Sequence, residues 1–189
     1  IISLVPWTIA ASAPSPDFSR GRRKMNKPIT DIFPTYTEND FESLIWHDVT
    51  IHAMAFGRAA GDLFFDVDHI EKWTQPDPPS GAYQFYVVPA TLVFRSVWDI
   101  EAEVCSYSGE CQIDGISRQA VDVEPSPDPR VPIIPSWKWT ISLITGGEIV
   151  FRSNGFDLYY RRDPVLNGEQ VFSLEERGGF SFSLERASG

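Results

Sequence analysis

Cysteine and histidine are scarce in this chain, at two and three of 189 residues. Two cysteines are too few for a disulfide framework, and the C-x5-C spacing of Cys105 and Cys111 lacks the second half of a zinc site. They are read as reduced thiols of a cytoplasmic protein, although a hairpin turn at Tyr107-Ser108-Gly109 would set them face to face. Basic residues are also few, 16 against 26 acidic. Four of these, Arg20, Arg22, Arg23 and Lys24, sit before residue 25 with only Asp17 opposing them, which leaves a net charge of −13 on the remainder. So acidic a body has little with which to neutralise phosphates. That argues against nucleic acid and anionic membranes as partners, and for a basic protein or a cation. No apolar run approaches the ~18–20 residues of a membrane span. The loops that announce common chemistries, G-x-S-x-G, the P-loop and G-x-G-x-x-G, are absent as well.

What the chain does have is aromatic and apolar content, 13% and 42%, broken at short intervals by 15 Pro and 13 Gly. That combination suits many short strands. Residues 1–28 read as a leader or upstream segment, expected to be disordered. Met25 opens MNKPITDIF as an ordinary start would, and the apolar opening lacks the basic flank of an export signal. Residues 29–189 read as a single mainly β domain, monomeric or homodimeric.

The best helix lies at about 38–46, with Thr37 as cap, Asp40 at capping-box spacing, and Phe41, Leu44 and Ile45 on one face. Strand patterns then follow over 47–56, 63–70, 82–88, 91–97, 100–105 and 111–119. Pro89 marks an edge or a bulge between two of them. The proline-rich stretch 124–136 is an extended connection. Trp137, Trp139, Ile141 and Leu143 form a period-2 stripe, and Gly146-Gly147 turns the chain as a hairpin. Ser173 and Glu176 again have capping-box spacing, for one helical turn at 173–179. Eight to ten strands and one short N-terminal helix predict an antiparallel β-sandwich or a partly open barrel.

All three histidines fall between His47 and His69, among aspartates. With a symmetric loop at Gly57–Gly61, His52 stands opposite Asp66, Thr50 opposite Asp68, and Asp48 opposite Ile70, all on one face. His52, Asp66, Asp68 and Asp48 are then candidate ligands of a divalent metal such as Zn, Mn or Fe. The same face also reads as a solvated sheet surface. The other face ends in His47, His69 and Glu71, candidates for acid–base work. The Arg161-Arg162-Asp163 run and the LEER segment read as surface charge.

WHDVTIHAMAF (46–56), LFFDVDHIEKW (63–73), YVVPATLVF (86–94) and WKWTISL with GEIVFRSNGFDLYYR (137–161) resemble a family of small uncharacterised bacterial proteins. The likeness covers most of 41–178. The His-Asp-x-x-Ile opening is also similar to β-rich toxin-immunity proteins. The resemblance implies a β fold and supplies no catalytic residues. Three functions are carried forward. The first is an immunity-like protein-binding module facing a basic partner, not an enzyme. The second is a metal-dependent hydrolase on the His52/Asp66/Asp68 face. The third is a small-ligand binder with a cavity lined by Trp137, Trp139, Phe85 and Phe94.

Overall fold

Alternation of apolar and polar side chains, interrupted by turn residues, produces ten strands among the described residues of the computed structural model. It describes residues 32–57, 61–76, 81–105, 109–122 and 133–187. All of these lie in one compact unit, Ile32–Gly189. The expected leader, the centre of the proline-rich connection and most of the Tyr107-Ser108-Gly109 turn lie outside the described residues. The strands are β1 (Tyr36–Thr37), β2 (Thr50–Phe56), β3 (Leu63–Trp73), β4 (Phe85–Phe94), β5 (Trp98–Val104), β6 (Ile113–Val121), β7 (Ser136–Leu143), β8 (Gly147–Ser153), β9 (Phe156–Tyr160) and β10 (Val165–Asn167). They form two antiparallel sheets. One runs β1-β9-β4-β3-β2, with β10 beside β4; the other runs β5-β8-β7-β6. The two pack face to face as a β-sandwich, the expected architecture. No helix among the described residues is long and apolar enough to cross a membrane.

The core is the inner face of both sheets. Leu63, Phe65 and Val67 of β3 meet Val88, Ala90, Leu92 and Phe94 of β4, and Trp139, Ile141, Ile149 and Phe151 close over them. Phe94 lies 4.6 Å from Phe151 and 5.2 Å from Trp139, ring to ring, in edge-on contacts. Each such side chain taken out of water contributes about 1.5–3 kcal/mol. Trp139 and Phe94 therefore fill the core. Phe85 packs on Trp73, and Trp137 packs under the Arg118 guanidinium. The four aromatics do not converge on a common cavity.

Three local readings change. The helix is a 3-10 segment, Glu38–Ser43, ending where Leu44 turns extended; its capping box at Thr37 and Asp40 is present. Pro89 sits inside a continuous interior strand. It is tolerated because β9 ends beside Ala90 and β10 begins beside Val87, so the missing N–H falls in the gap between them. There the Pro89 carbonyl accepts from the Arg161 N–H at 3.0 Å. Finally, β5 and β6 do not form a hairpin. They lie at opposite edges of their sheet with β8 and β7 between them. The β7–β8 turn brackets the crossing: the Cys105 N–H donates to Gly146 O at 3.4 Å, and the Ile144 N–H to Gln112 O at 2.9 Å. Cys105 and Cys111 are free.

Candidate functional site

The aspartates of β3 mark the most unusual place in the molecule. Leu63, Phe65, Val67 and His69 point into the sandwich, so Asp66 and Asp68 point out of it. Both are nonetheless fully buried. The cover is the C-terminal segment 171–187. It turns back over the outer face of the larger sheet, with Phe182 on Phe64 and the Thr91 hydroxyl donating to Ser183 O at 2.8 Å.

The sequence builds this cover locally. Ser173 and Glu176 form the expected capping box, with the Ser173 N–H 2.9 Å from Glu176 Oε2. The turn closes as a Schellman motif: the Gly179 N–H donates to Leu174 O and the Gly178 N–H to Glu175 O. Gly178 has φ +78°, the left-handed conformation that motif needs. The result is a rigid one-turn mount for Arg177, which is wholly buried.

Arg177 joins both aspartates. Its Nη2 donates to Asp66 Oδ1 at 2.6 Å, its Nη1 to Asp66 Oδ2 at 2.8 Å, and its Nε to Asp68 Oδ1 at 3.2 Å. Arg161 Nη2 adds a second cation on Asp66 Oδ1 at 2.7 Å. The Ser181 N–H donates to Asp66 Oδ2 and the Phe172 N–H to Asp68 Oδ2, each at 2.9 Å. Burial alone would raise both carboxyl pKa values. For Asp66, the Arg177 and Ser181 hydrogen bonds and the Arg161 charge outweigh it and hold the group below the usual range. For Asp68 the same is done by hydrogen bonds from His52 and Phe172 and by the Arg177 charge. The same carboxylates raise the Arg177 pKa against its own burial.

His52 reaches this cluster by a route the symmetric register missed. Thr50 pairs with Asp68 and Ile51 with Val67 as expected, but the ladder then slips by one residue, and Ala53 stands opposite Asp66. His52 is the extra residue of a β-bulge. Its Nε2–H donates to Asp68 Oδ2 at 2.9 Å. Asp48 leaves the ladder altogether. It sits in a turn at φ +67°, its N–H donates to Ile113 O, and Gln170 Nε2 donates to its Oδ2 at 2.8 Å. The chain here has turned to pair with the start of β6, through the Thr50–Gln112 bridge.

Of the four expected metal ligands, the structure thus brings together His52 and Asp68, leaves Asp66 to two arginines, and sends Asp48 elsewhere. Among the described residues no group of three or more His, Cys, Asp or Glu is disposed to hold a metal ion. The acid–base trio is dispersed too. His47 is half exposed and its Nδ1–H donates to Asp114 O at 3.0 Å. Glu71 accepts from the Tyr36 hydroxyl at 3.4 Å. His69 is enclosed in the core, with Trp46 edge-on and Nδ1 2.9 Å from the Tyr160 hydroxyl. Burial pushes its pKa down to about 4. Burial, then the Glu71 charge, pushes the Tyr160 hydroxyl far up. Both stay neutral at pH 7 and neither meets solvent. Cys111 lies opposite Ile51 and packs with it against the core, at the border of a cleft that His52 also lines. Burial raises its thiol pKa, the opposite of what a nucleophile needs.

Arg161 and Arg177, read as surface charge, are instead the centre of the site. One signal pointed to them: an Asp-x-Asp pair in a strand too apolar to be solvated requires cations from elsewhere in the chain. The arrangement, a β-sandwich with its own C-terminal segment locked by ion pairs across one outer face, is a charge-compensated latch whose carboxylate lone pairs are already taken. Comparison with protein-family models, curated proteins and solved structures finds no match.

Proposed function

We propose that this protein is a protein-binding module that receives a basic partner along the β5 side of the four-stranded sheet. The observation that carries the reading is a like-charge cross-strand pair. Glu103 on β5 stands directly opposite Glu148 on β8, with Glu101 two residues along the same outward face. Like charges so placed destabilise a sheet, and a cationic surface laid over them relieves the repulsion. Asp99, Glu101 and Glu103 are exposed. Among the described residues β5 is also the outer strand of its sheet, where an added strand gains main-chain hydrogen bonds while side chains read charge. The overall charge of −10 would speed encounter with a basic protein. The resemblance to immunity proteins points the same way, and a cytoplasmic setting suits the two free thiols. A hydrolase on His52, Asp66, Asp68 and Asp48 has less support, since arginines occupy the two central carboxylates.

The test is a photo-crosslinker at Val150 on β8, which stands opposite Glu101 on the outward face, with one at Gln119 on β6 as control, followed by mass spectrometry. The expected outcome is one stoichiometric basic protein captured from Val150 only. That capture should be weakened by salt and lost in the Glu101→Lys/Glu103→Lys/Glu148→Lys variant. Capture that is indifferent to salt and to the triple variant, or no specific capture, would sink the reading.

A further inference from the structure

Two edge strands, β2 and β5, leave core-facing apolar side chains in solvent. Met54 and Phe56 of β2 stand opposite Phe65 and Leu63 of β3. Opposed residues share a face of the sheet, so Met54 and Phe56 point the same way as the core. They are nonetheless 41% and 63% exposed, while Phe65 and Leu63 are fully buried. On β5, Ala102 and Val104 stand opposite Ile149 and Gly147 of β8, again on the core-facing side. Both are exposed, Val104 at 51%. The two strands border the same side of the sandwich. Just before β5, the Val97 N–H donates to Gly61 O, just past β2, at 2.8 Å. The chain that leaves β5 returns to β2 at Cys111, whose carbonyl accepts from the Ile51 N–H at 2.7 Å. Uncovered apolar side chains gathered between two edges mark an interaction surface.

Main-chain groups are on offer at the same place. The Cys105 N–H donates to Gly146 O. Hydrogen-bonded pairs alternate along an antiparallel ladder. Glu103 and Glu101 therefore bond to β8, and the N–H and C=O groups of Ala102 and Val104 point away from it. Among the described residues no strand lies on that side. The pleat then fixes what an added strand presents. Its residues opposite Ala102 and Val104 face the gap towards β2. Its residues opposite Glu101 and Glu103 face outward, where those carboxylates, Glu148 and Val150 line a shallow groove of about 190 Å³. The charge also selects the occupant. Another acidic strand, such as β5 of a second copy, would set like charges against Glu101 and Glu103.

We infer that β5 receives an antiparallel partner strand in which Lys or Arg alternates with apolar residues. The basic side chains lie along Val150 and reach Glu101, Glu103 and Glu148. The apolar ones fill the gap between Val104 and the overhanging Met54 and Phe56. Such a strand presupposes the basic partner proposed above and adds an apolar half to its chemistry.

The probe is an octapeptide alternating Lys and Val, titrated against the full chain by fluorescence anisotropy. The control has the same composition in the repeating order Lys-Lys-Val-Val. Saturable binding of the alternating peptide is expected, with Kd of about 10–100 μM. The control, equal in charge, should bind at least about tenfold more weakly, because it cannot put its cations outward and its apolar groups inward at once. N-methylation of the Val amides, which face β5 in an antiparallel pair, should abolish binding, and N-methylation of the Lys amides should not. Met54→Ser/Phe56→Ser alters two exposed side chains, so it should leave Tm nearly unchanged while weakening the peptide about three- to tenfold. Glu101→Gln/Glu103→Gln should weaken it and reduce its salt dependence. Equal binding of the two orders, or indifference to Val methylation, overturns the strand geometry while the basic-partner reading stands. Binding of neither peptide, or unchanged binding in Met54→Ser/Phe56→Ser, overturns it as well, and the basic-partner reading is then decided by the Val150 crosslink.

Discussion

At the scale of single residues, His69 and Arg177 make opposite demands on the solvent. His69 is held neutral in the core with a pKa of about 4 against 6.5 in the unfolded chain. Between those values the unfolded state takes up a proton that the folded state refuses, so stability is greatest above pH 6.5 and falls as pH drops towards 4. The loss is about 3 kcal/mol at 1.4 kcal/mol per pH unit. Urea denaturation at pH 7, 5 and 4 measures it. His69→Phe should flatten that slope, and a wild-type stability equal at pH 7 and 4.5 would refute the assignment. Arg177 is a cation whose side chain is shielded from solvent. Replacing a buried pair by apolar groups is often neutral, but removing one partner leaves a stranded charge. Arg177→Met should therefore cost about 3–5 kcal/mol. Adding Asp68→Asn should return part of that, with a coupling energy of about 0.5–3 kcal/mol in a double-mutant cycle. Strict additivity of the two losses would mean that Arg177 and Asp68 do not act as a pair.

At the scale of elements, what was legible in the sequence is what is local. Capping boxes at Thr37/Asp40 and Ser173/Glu176 are patterns within four residues, and both formed. The strand pattern over 63–70 gave β3, and the period-2 stripe at Trp137, Trp139, Ile141 and Leu143 gave β7. The bulge at His52 was not legible, because nothing in 47–56 announces that the chain will leave β3 to pair with 111–113. Nor were the cations of Asp66, which lie 95 and 111 residues away and enter no local periodicity. The two glycine turns allow a prediction at this scale. Gly178 and Gly147 both have positive φ, but a Cβ on Gly178 meets open space while one on Gly147 would lie 2.2 Å from the Glu103 carbonyl oxygen. Gly178→Ala should cost about 1 kcal/mol, the conformational term alone. Gly147→Ala should cost more than twice that, because strain and a backbone clash add. Equal Tm losses in the two variants would contradict the packing of β5 against that turn.

At the scale of the whole molecule, the C-terminal cover ties together residues far apart in the chain through Asp66 and Asp68. Both carboxyls are held below their usual 3.8, so their stabilising contribution is complete above that value and is lost as pH falls through the depressed folded pKa values. Acid should thus act in two stages: His69 between pH 6.5 and 4, then the latch at lower pH. Hydrogen exchange at the Phe172 and Ser181 amides, which donate to those carboxylates, should report the second stage and not the first. Simultaneous loss of protection and of core packing at pH 5 would show that the two are one event. The strand order has a further meaning for a chain being synthesised from its N-terminus. β5 and β6 emerge early, yet neither has its sheet neighbour until residues 136–153 follow. During that interval the future acidic edge is an unpaired strand, and the charges that guard it in the finished protein already keep it from pairing with other nascent chains.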